Sequence, residues 1–159
     1  MADASVKVSA TTQIVHIGSG TSLAAAAYNP SSDVSTALSS TNTAKYGRCD
    51  VTLMIAPTAS IASTSQNVYL FRRDLNHDGT NDDPVPTASN QSKYVGSFII
   101  PYATTASTTH YVQAVDVLMP GDGPGAGACE FYIGNGLNAN IPAGWTLKVT
   151  PKTDVAATA

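Results

Sequence analysis

Charged residues are scarce in this sequence. Asp, Glu, Lys and Arg together make up 12% of the 159 residues, about half of the fraction found in ordinary globular domains. Lys and Arg number only eight and form no basic run with interleaved aromatic residues, so we expect no nucleic-acid partner. No stretch approaches the roughly 18 apolar residues of a membrane-spanning helix, so we expect no membrane partner. A surface this poor in charge is weakly protected against association, which suits a protein that is buried against other subunits.

Cysteine is also rare, and the spacings that mark catalytic or metal sites are missing. Cys49 and Cys129 fit no metal-binding spacing and each lies in a predicted strand, so we interpret both as small buried apolar residues. A disulfide between them stays open. His16, His77 and His110 share no ligand spacing, and no G-x-S-x-G segment supplies a nucleophile. We therefore expect no enzymatic activity. The N-terminus lacks the basic and apolar regions of a signal peptide.

Short segments of alternating apolar and polar residues occupy most of the chain. The clearest is residues 48–56, where Val51, Leu53 and Ile55 point to one face and Pro57 closes the segment. Turn residues recur roughly every 8–15 positions and no helix is convincing. The pattern predicts an all-β fold, an antiparallel β-sandwich or jelly roll with about seven or eight short strands. The other predicted core strands are residues 68–73, 94–100, 109–119, 128–133 and 145–150.

Two of these strands carry specific expectations. Alternation along residues 109–119 places Tyr111 and Val117 on the same face of their strand. Trp145 opens the last strand and should be a core residue, while Pro151 should end that strand.

The two ends of the chain differ in composition from its middle. Residues 1–12 are small and polar, with Val6 and Val8 as the only apolar anchors, so we interpret them as an extended N-terminal arm. We expect residues 13–153 to form the sandwich domain and residues 154–159 to form a C-terminal tail.

A long polar loop joins the strands at residues 68–73 and 94–100, which we expect to form an antiparallel pair. Its segment DLNHDGTNDD alternates oxygen-bearing side chains and has a Gly after the third, as in the opening half of an EF-hand-type calcium loop. The twelfth position is Val85 rather than a bidentate Glu, and no helices flank the loop. We therefore favour a solvated, projecting turn over calcium binding. The candidate calcium ligands of the alternative are Asp74, Asn76, Asp78 and Asp82.

Six segments in order support a resemblance to a known family. They are QIVHIGSGTSLAAAAYNPSSDVSTAL, CDVTLMIAPTAS, VYLFRRDLNHDGTNDDPVP, KYVGSFII, CEFYIGNG and AGWTLKVTPKT, and together they extend over residues 13–153. This order resembles a family of small virion structural proteins of tailed bacteriophages. The resemblance implies a β-sandwich capsid decoration (cement) protein without catalytic residues. It implies the major capsid protein as partner, self-association as a homotrimer, and a place on the capsid surface of the virion after synthesis in the host cytoplasm.

A second function stays open, a tail or baseplate module that binds carbohydrate on the host surface. Such a module needs an exposed aromatic platform. The candidate residues are Tyr94, Tyr102, Tyr111 and Tyr132. A hydrolase is the third and weakest alternative.

Overall fold

The computed structural model describes residues 5–9, 12–38, 47–60, 66–75, 82–91, 93–101, 105–120 and 128–156. Within these ranges the chain forms eight β-strands and one 3-10 turn at Ser31–Asp33, and no α-helix. No helix in the described part of the chain is long and apolar enough to span a membrane. The strands are β1 Ser5–Ser9, β2 Ile14–Ile17, β3 Arg48–Ile55, β4 Gln66–Asp74, β5 Tyr94–Ile100, β6 His110–Leu118, β7 Cys129–Asn135 and β8 Thr146–Ala156.

The strands form two antiparallel sheets that enclose one core. The larger sheet has the order β1-β8-β3-β6, with β2 also paired to β8, and the smaller sheet has the order β5-β4-β7. Buried apolar side chains from both sheets belong to a single cluster. The predicted all-β sandwich is therefore confirmed, and so is the predicted antiparallel pairing of β4 with β5.

Strand β3 shows how alternation in the sequence places one face of a strand in the core. Val51 and Leu53 are fully buried and Ile55 is 1% exposed, while the residues between them are half-buried on the opposite face. Full burial of each such side chain contributes about 1.5–3 kcal/mol. Cys49 at the start of β3 and Cys129 on β7 are also fully buried and are free thiols, as expected for small apolar residues.

Trp145 is a core residue, as predicted. Its side chain is 2% exposed, and its indole Nε1 donates a hydrogen bond of 2.7 Å to the carbonyl oxygen of Thr21. The ring lies directly against the backbone of Gly20, where a Cβ atom would come within 1.9 Å of the indole. Only glycine fits at position 20, because the segment after β2 packs closely against the indole ring that precedes β8.

The predicted faces of β6 are wrong. Tyr111 is 71% exposed, whereas Val117 is 3% exposed and belongs to the core. The reason is a bulge: Val51 of β3 pairs with Ala114 and Cys49 pairs with Val117, so β6 has one residue more than β3 over this interval. Asp116 takes a positive φ of 54° in the bulge. An extra residue shifts every later side chain to the other face of the sheet.

The last strand does not end at Pro151, which contradicts the prediction. Strand β8 runs through Pro151 to Ala156. On its edge away from β3, β2 pairs with β8 as far as Val149 and β1 pairs from Lys152 onward. Pro151 therefore lies in the gap between β2 and β1, where a missing backbone N–H costs no ladder hydrogen bond with either strand.

The predicted arm and the predicted tail pair with each other. Strand β1, from the arm, is antiparallel to the end of β8, with Ser5 opposite Ala156 and Ser9 opposite Lys152. The neighbouring strand β3 begins at Arg48, which is paired with the same Lys152. Beyond this point β1 and β8 are paired with each other and, within the described part of the chain, with no third strand. We call residues 5–9 and 152–156 the terminal ribbon.

Candidate functional site

The outer face of the smaller sheet is unusual because it is partly buried. Phe71 of β4 is 2% exposed and Tyr132 of β7 is fully buried, yet neither belongs to the core between the sheets. The two residues are opposite each other in the β4–β7 register. This face is contacted by the ring of Tyr28, the side chains of Asp82 and Lys93, and the backbone carbonyl of Asp83.

One end of this face carries a network of charges around Asp74, the last residue of β4. The Asp74 carboxylate lies 2.7 Å from Nε of Arg72 and 2.8 Å from Nζ of Lys93. Lys93 also contacts the carboxylate of Asp83. Burial lowers the pKa of Lys93, but the hydrogen bonds to Asp74 and Asp83 outweigh this effect and raise it. Lys93 is therefore firmly charged.

Backbone hydrogen bonds close the base of the loop at the same place. The N–H of Asp83 donates to the carbonyl oxygen of Asp74 at 2.9 Å, and the N–H of Asp74 donates to the Asp83 carboxylate at 3.0 Å. The end of β4 at Asp74 and the loop residue Asp83 are thus held together by both backbone and side-chain contacts.

Arg73 forms a second network beside the first. Its guanidinium lies 3.0 Å from Glu130 and 3.3 Å from Asp82, and its Nε donates to the carbonyl oxygen of Asp83 at 2.7 Å. The hydroxyl of Tyr132 donates to the Glu130 carboxylate at 2.6 Å. Burial, together with this bond to Glu130, raises the pKa of Tyr132, so the phenol stays protonated.

These contacts bear on the four candidate calcium ligands. Asp74 is 5% exposed and faces Arg72 and Lys93, and Asp82 faces Arg73. Asn76 and Asp78 lie outside the described residues. Among the described residues, no cluster of three His, Cys, Asp or Glu side chains is placed to hold a metal ion. Calcium binding stays a prediction, while the structure gives Asp74 a clear part in anchoring the loop.

The other end of the face is aromatic. The ring of Tyr28 lies 5.5 Å from that of Phe71, Phe71 lies 5.9 Å from Tyr94, and Tyr94 lies 6.3 Å from Tyr69. Tilted and edge-to-face arrangements at these distances are the favoured ones for aromatic pairs. The four rings form a continuous row that runs from the buried part of the face to solvent.

A cleft of about 360 Å³ opens beside this row. Tyr28 and Tyr69 line it together with Gln91, Gly136 and Leu137. The side-chain amide of Gln91 donates to the hydroxyl of Tyr28 at 2.6 Å. The ring of Tyr69 rests on Gly136, where a Cβ atom would approach the ring to 2.5 Å.

Only part of this aromatic surface was predicted. Of the four candidate platform residues, Tyr94 is 53% exposed and Tyr111 is 71% exposed, but on different sheets. Tyr132 is fully buried, and Tyr102 lies outside the described residues. Tyr69 could have been identified, because it alternates with the core residues Val68 and Leu70. Tyr28 and Gln91 could not, since only long-range contacts bring them to the cleft.

Comparison with known proteins gives no relative. No protein-family model, curated protein or solved structure matches the chain.

Proposed function

We propose that this protein is a non-enzymatic structural component of a bacteriophage virion. In this role it is a capsid decoration (cement) protein that binds the outer capsid surface and stabilises the shell. The observation that carries the proposal is the terminal ribbon, in which β1 and the end of β8 continue beyond Arg48, the first residue of β3.

A two-stranded ribbon of this kind needs a partner. Two strands without a third are marginally stable in water, and the outer edge of β1 pairs with no other strand among the described residues. Ordering a backbone costs about 1–2 kcal/mol per residue. A neighbouring subunit that adds a strand or a surface to the ribbon offsets this cost through main-chain hydrogen bonds.

The composition supports the same conclusion. A chain with only 12% charged residues is suited to having much of its surface covered by other proteins. The resemblance described above adds the major capsid protein as the partner and a homotrimer as the assembly. A closed ring of three subunits repeats the same contact three times, as symmetric oligomers generally do.

The test uses undecorated capsids of the phage that encodes the protein. We expect the double substitution Val6→Pro and Val8→Pro, which removes two backbone donors from β1, to weaken capsid binding by about tenfold or more. Capsids mixed with this variant should lose their protection against heating. Deletion of residues 1–12 should have the same effect.

The matched control is Val15→Thr, on β2. Val15 is 46% exposed and its strand pairs with the same β8, but it lies outside the terminal ribbon. This variant should bind and protect capsids as the full chain does. If the proline variant and the deletion also bind and protect fully, the ribbon is not the contact. If the wild-type protein is found only in isolated tails, the decoration role is excluded.

A further inference from the structure

We propose that the cleft beside Tyr69 binds a neutral saccharide. The site lies on the outer face of the smaller sheet, whereas the terminal ribbon belongs to the larger sheet. This inference therefore does not depend on the proposed capsid role, and each can fail without the other.

The size and openness of the cleft suit one or two sugar rings. Its volume of about 360 Å³ is at the lower end of the range of small-molecule sites, about 300–1,000 Å³. The exposed fraction of Tyr69 is 39%, and Gly136 below it is exposed. A ligand can therefore reach the ring from solvent without displacing any part of the fold.

The chemistry of the lining selects the ligand class. The described residues that line the cleft are tyrosine, alanine, leucine, glycine and the amides of Gln91 and Asn135, and none of them carries a charge. A charged ligand would find no counter-ion here. A neutral sugar, by contrast, has an apolar C–H face that packs on an aromatic ring and a rim of hydroxyls that form hydrogen bonds.

Two polar groups are positioned for those hydroxyls. Tyr28 accepts a hydrogen bond from Gln91 at 2.6 Å, and a phenol that accepts one bond can still donate another. The amide of Gln91 also offers a carbonyl oxygen as an acceptor. Asn135 has a different part, because its side chain is 1% exposed and bonds to three backbone carbonyl oxygens of neighbouring loops. It fixes the wall of the cleft.

The tyrosine rings are held in place before any ligand arrives. The ring of Tyr69 is supported by Gly136 and by the edge-to-face contact with Tyr94. The ring of Tyr28 packs on Phe71 and lies close to Gly134, where a Cβ atom would come within 3.0 Å of it. Because the rotamers of Tyr69 and Tyr28 are already fixed, ligand binding costs little additional side-chain entropy.

The experiment titrates the isotope-labelled full chain with glucose, galactose, mannose, N-acetylglucosamine, maltose and cellobiose, and with sialic acid as the charged comparison. We expect at least one neutral sugar to shift the amide resonances of Gly134, Gly136 and Gln91, with a dissociation constant on the order of 1–10 mM. Tyr69→Ala should weaken this binding by about tenfold or more, since it removes the ring on which the sugar packs.

Two further variants keep the test decisive. Ala88→Trp fills the cleft and leaves every tyrosine in place, so it should also abolish binding even if Tyr69→Ala folds poorly. Tyr111→Ala removes a tyrosine that is 71% exposed on the other sheet, and it should leave binding unchanged. The proposal is overturned if no neutral sugar shifts these resonances at about 50 mM. It is equally overturned if sialic acid alone binds, or if binding survives Ala88→Trp.

Discussion

His16 is a buried histidine whose surroundings dictate its charge. It is fully buried on β2, and its Nδ1 lies 2.6 Å from the carbonyl oxygen of Thr36. A carbonyl can only accept, so Nδ1 carries the proton. The backbone N–H of Phe131 donates to Nε2 at 2.8 Å, which requires Nε2 to be unprotonated. The neutral tautomer satisfies both contacts and joins the segment at Thr36 to β7.

Stability should therefore fall as the pH drops below about 6.5. Burial lowers the pKa of His16 from its usual 6.5, although the carbonyl oxygens of Thr36 and Phe131, which accept hydrogen bonds from a protonated ring, and the charge of Glu130 partly oppose this. The unfolded chain then binds the proton more readily than the folded chain, so stability is lost as the pH falls through 6.5 towards the folded pKa. Urea unfolding midpoints measured from about pH 7.5 to about pH 5 would show this decline.

Two histidine variants separate this effect from other titrations. His16→Gln should be less stable than the wild type at neutral pH, but it should lose less stability on acidification because its side chain does not titrate. His110→Gln replaces a half-buried histidine on β6 and is the comparison variant, measured over the same pH range. A wild-type slope in His16→Gln would show that another group causes the decline.

Trp145 should be among the most costly residues to truncate. It packs between the sheets with Leu147 and Val149, and its indole N–H bonds to Thr21. Trp145→Ala should lower the free energy of unfolding by about 3–5 kcal/mol. Tyr111→Ala, at a 71% exposed aromatic, is the matched control and should cost less than about 1 kcal/mol. Equal effects of the two substitutions in urea unfolding would contradict the core assignment.

At the scale of elements, regular strands were predictable and interrupted ones were not. Strict alternation in β3 identified the buried face of Val51, Leu53 and Ile55 because nothing breaks its register. In β6 the bulge at Asp116 adds one residue, and no local sequence pattern predicts this bulge. The prediction that Pro151 ends the last strand was wrong for a similar reason. Whether a proline ends a strand depends on which neighbours lie beside it, and those come from the other end of the chain.

The same limit applies to the candidate site. The acidic loop was visible in the sequence as a run of Asp and Asn, but its anchoring by Arg72, Arg73 and Lys93 depends on contacts across the sheet. The burial of Tyr132 on the outer face could not be predicted from the sequence either, because the segments that contact this face are distant along the chain.

Calcium should bind the loop weakly if at all. A calcium site needs six to eight oxygens, and the Asp74 carboxylate is already held by Arg72 and Lys93. Calorimetric titration should therefore give a dissociation constant weaker than about 1 mM. Tight binding that disappears in Asp78→Ala would overturn the interpretation of the loop as a solvated turn. Asp33→Ala, at a buried acid bonded to Thr21, serves as a control outside the loop.

At the scale of the whole molecule, the two ends of the chain form one unit. The sequence predicted an arm and a tail separately, since short polar segments give no sign of their partner. In the structure, residues 5–9 and 152–156 pair with each other in the terminal ribbon. Strand β8 thus has one half paired with β3 and another half that, among the described residues, is paired with β1 alone.

This division predicts that the ribbon matters more for assembly than for folding. Deletion of residues 1–12 removes the strand that pairs with the end of β8, but it leaves β8 paired with β3 from Thr146 to Lys152. The free energy of unfolding should therefore drop by no more than about 1–2 kcal/mol, with an unchanged urea m-value. As a comparison, Leu147→Ala truncates a fully buried residue in the inner half of β8 and should cost about 2–5 kcal/mol. If the deletion destabilises the protein as much as Leu147→Ala, the ribbon is part of the folding unit, and any loss of capsid binding by the deleted chain must be attributed to unfolding.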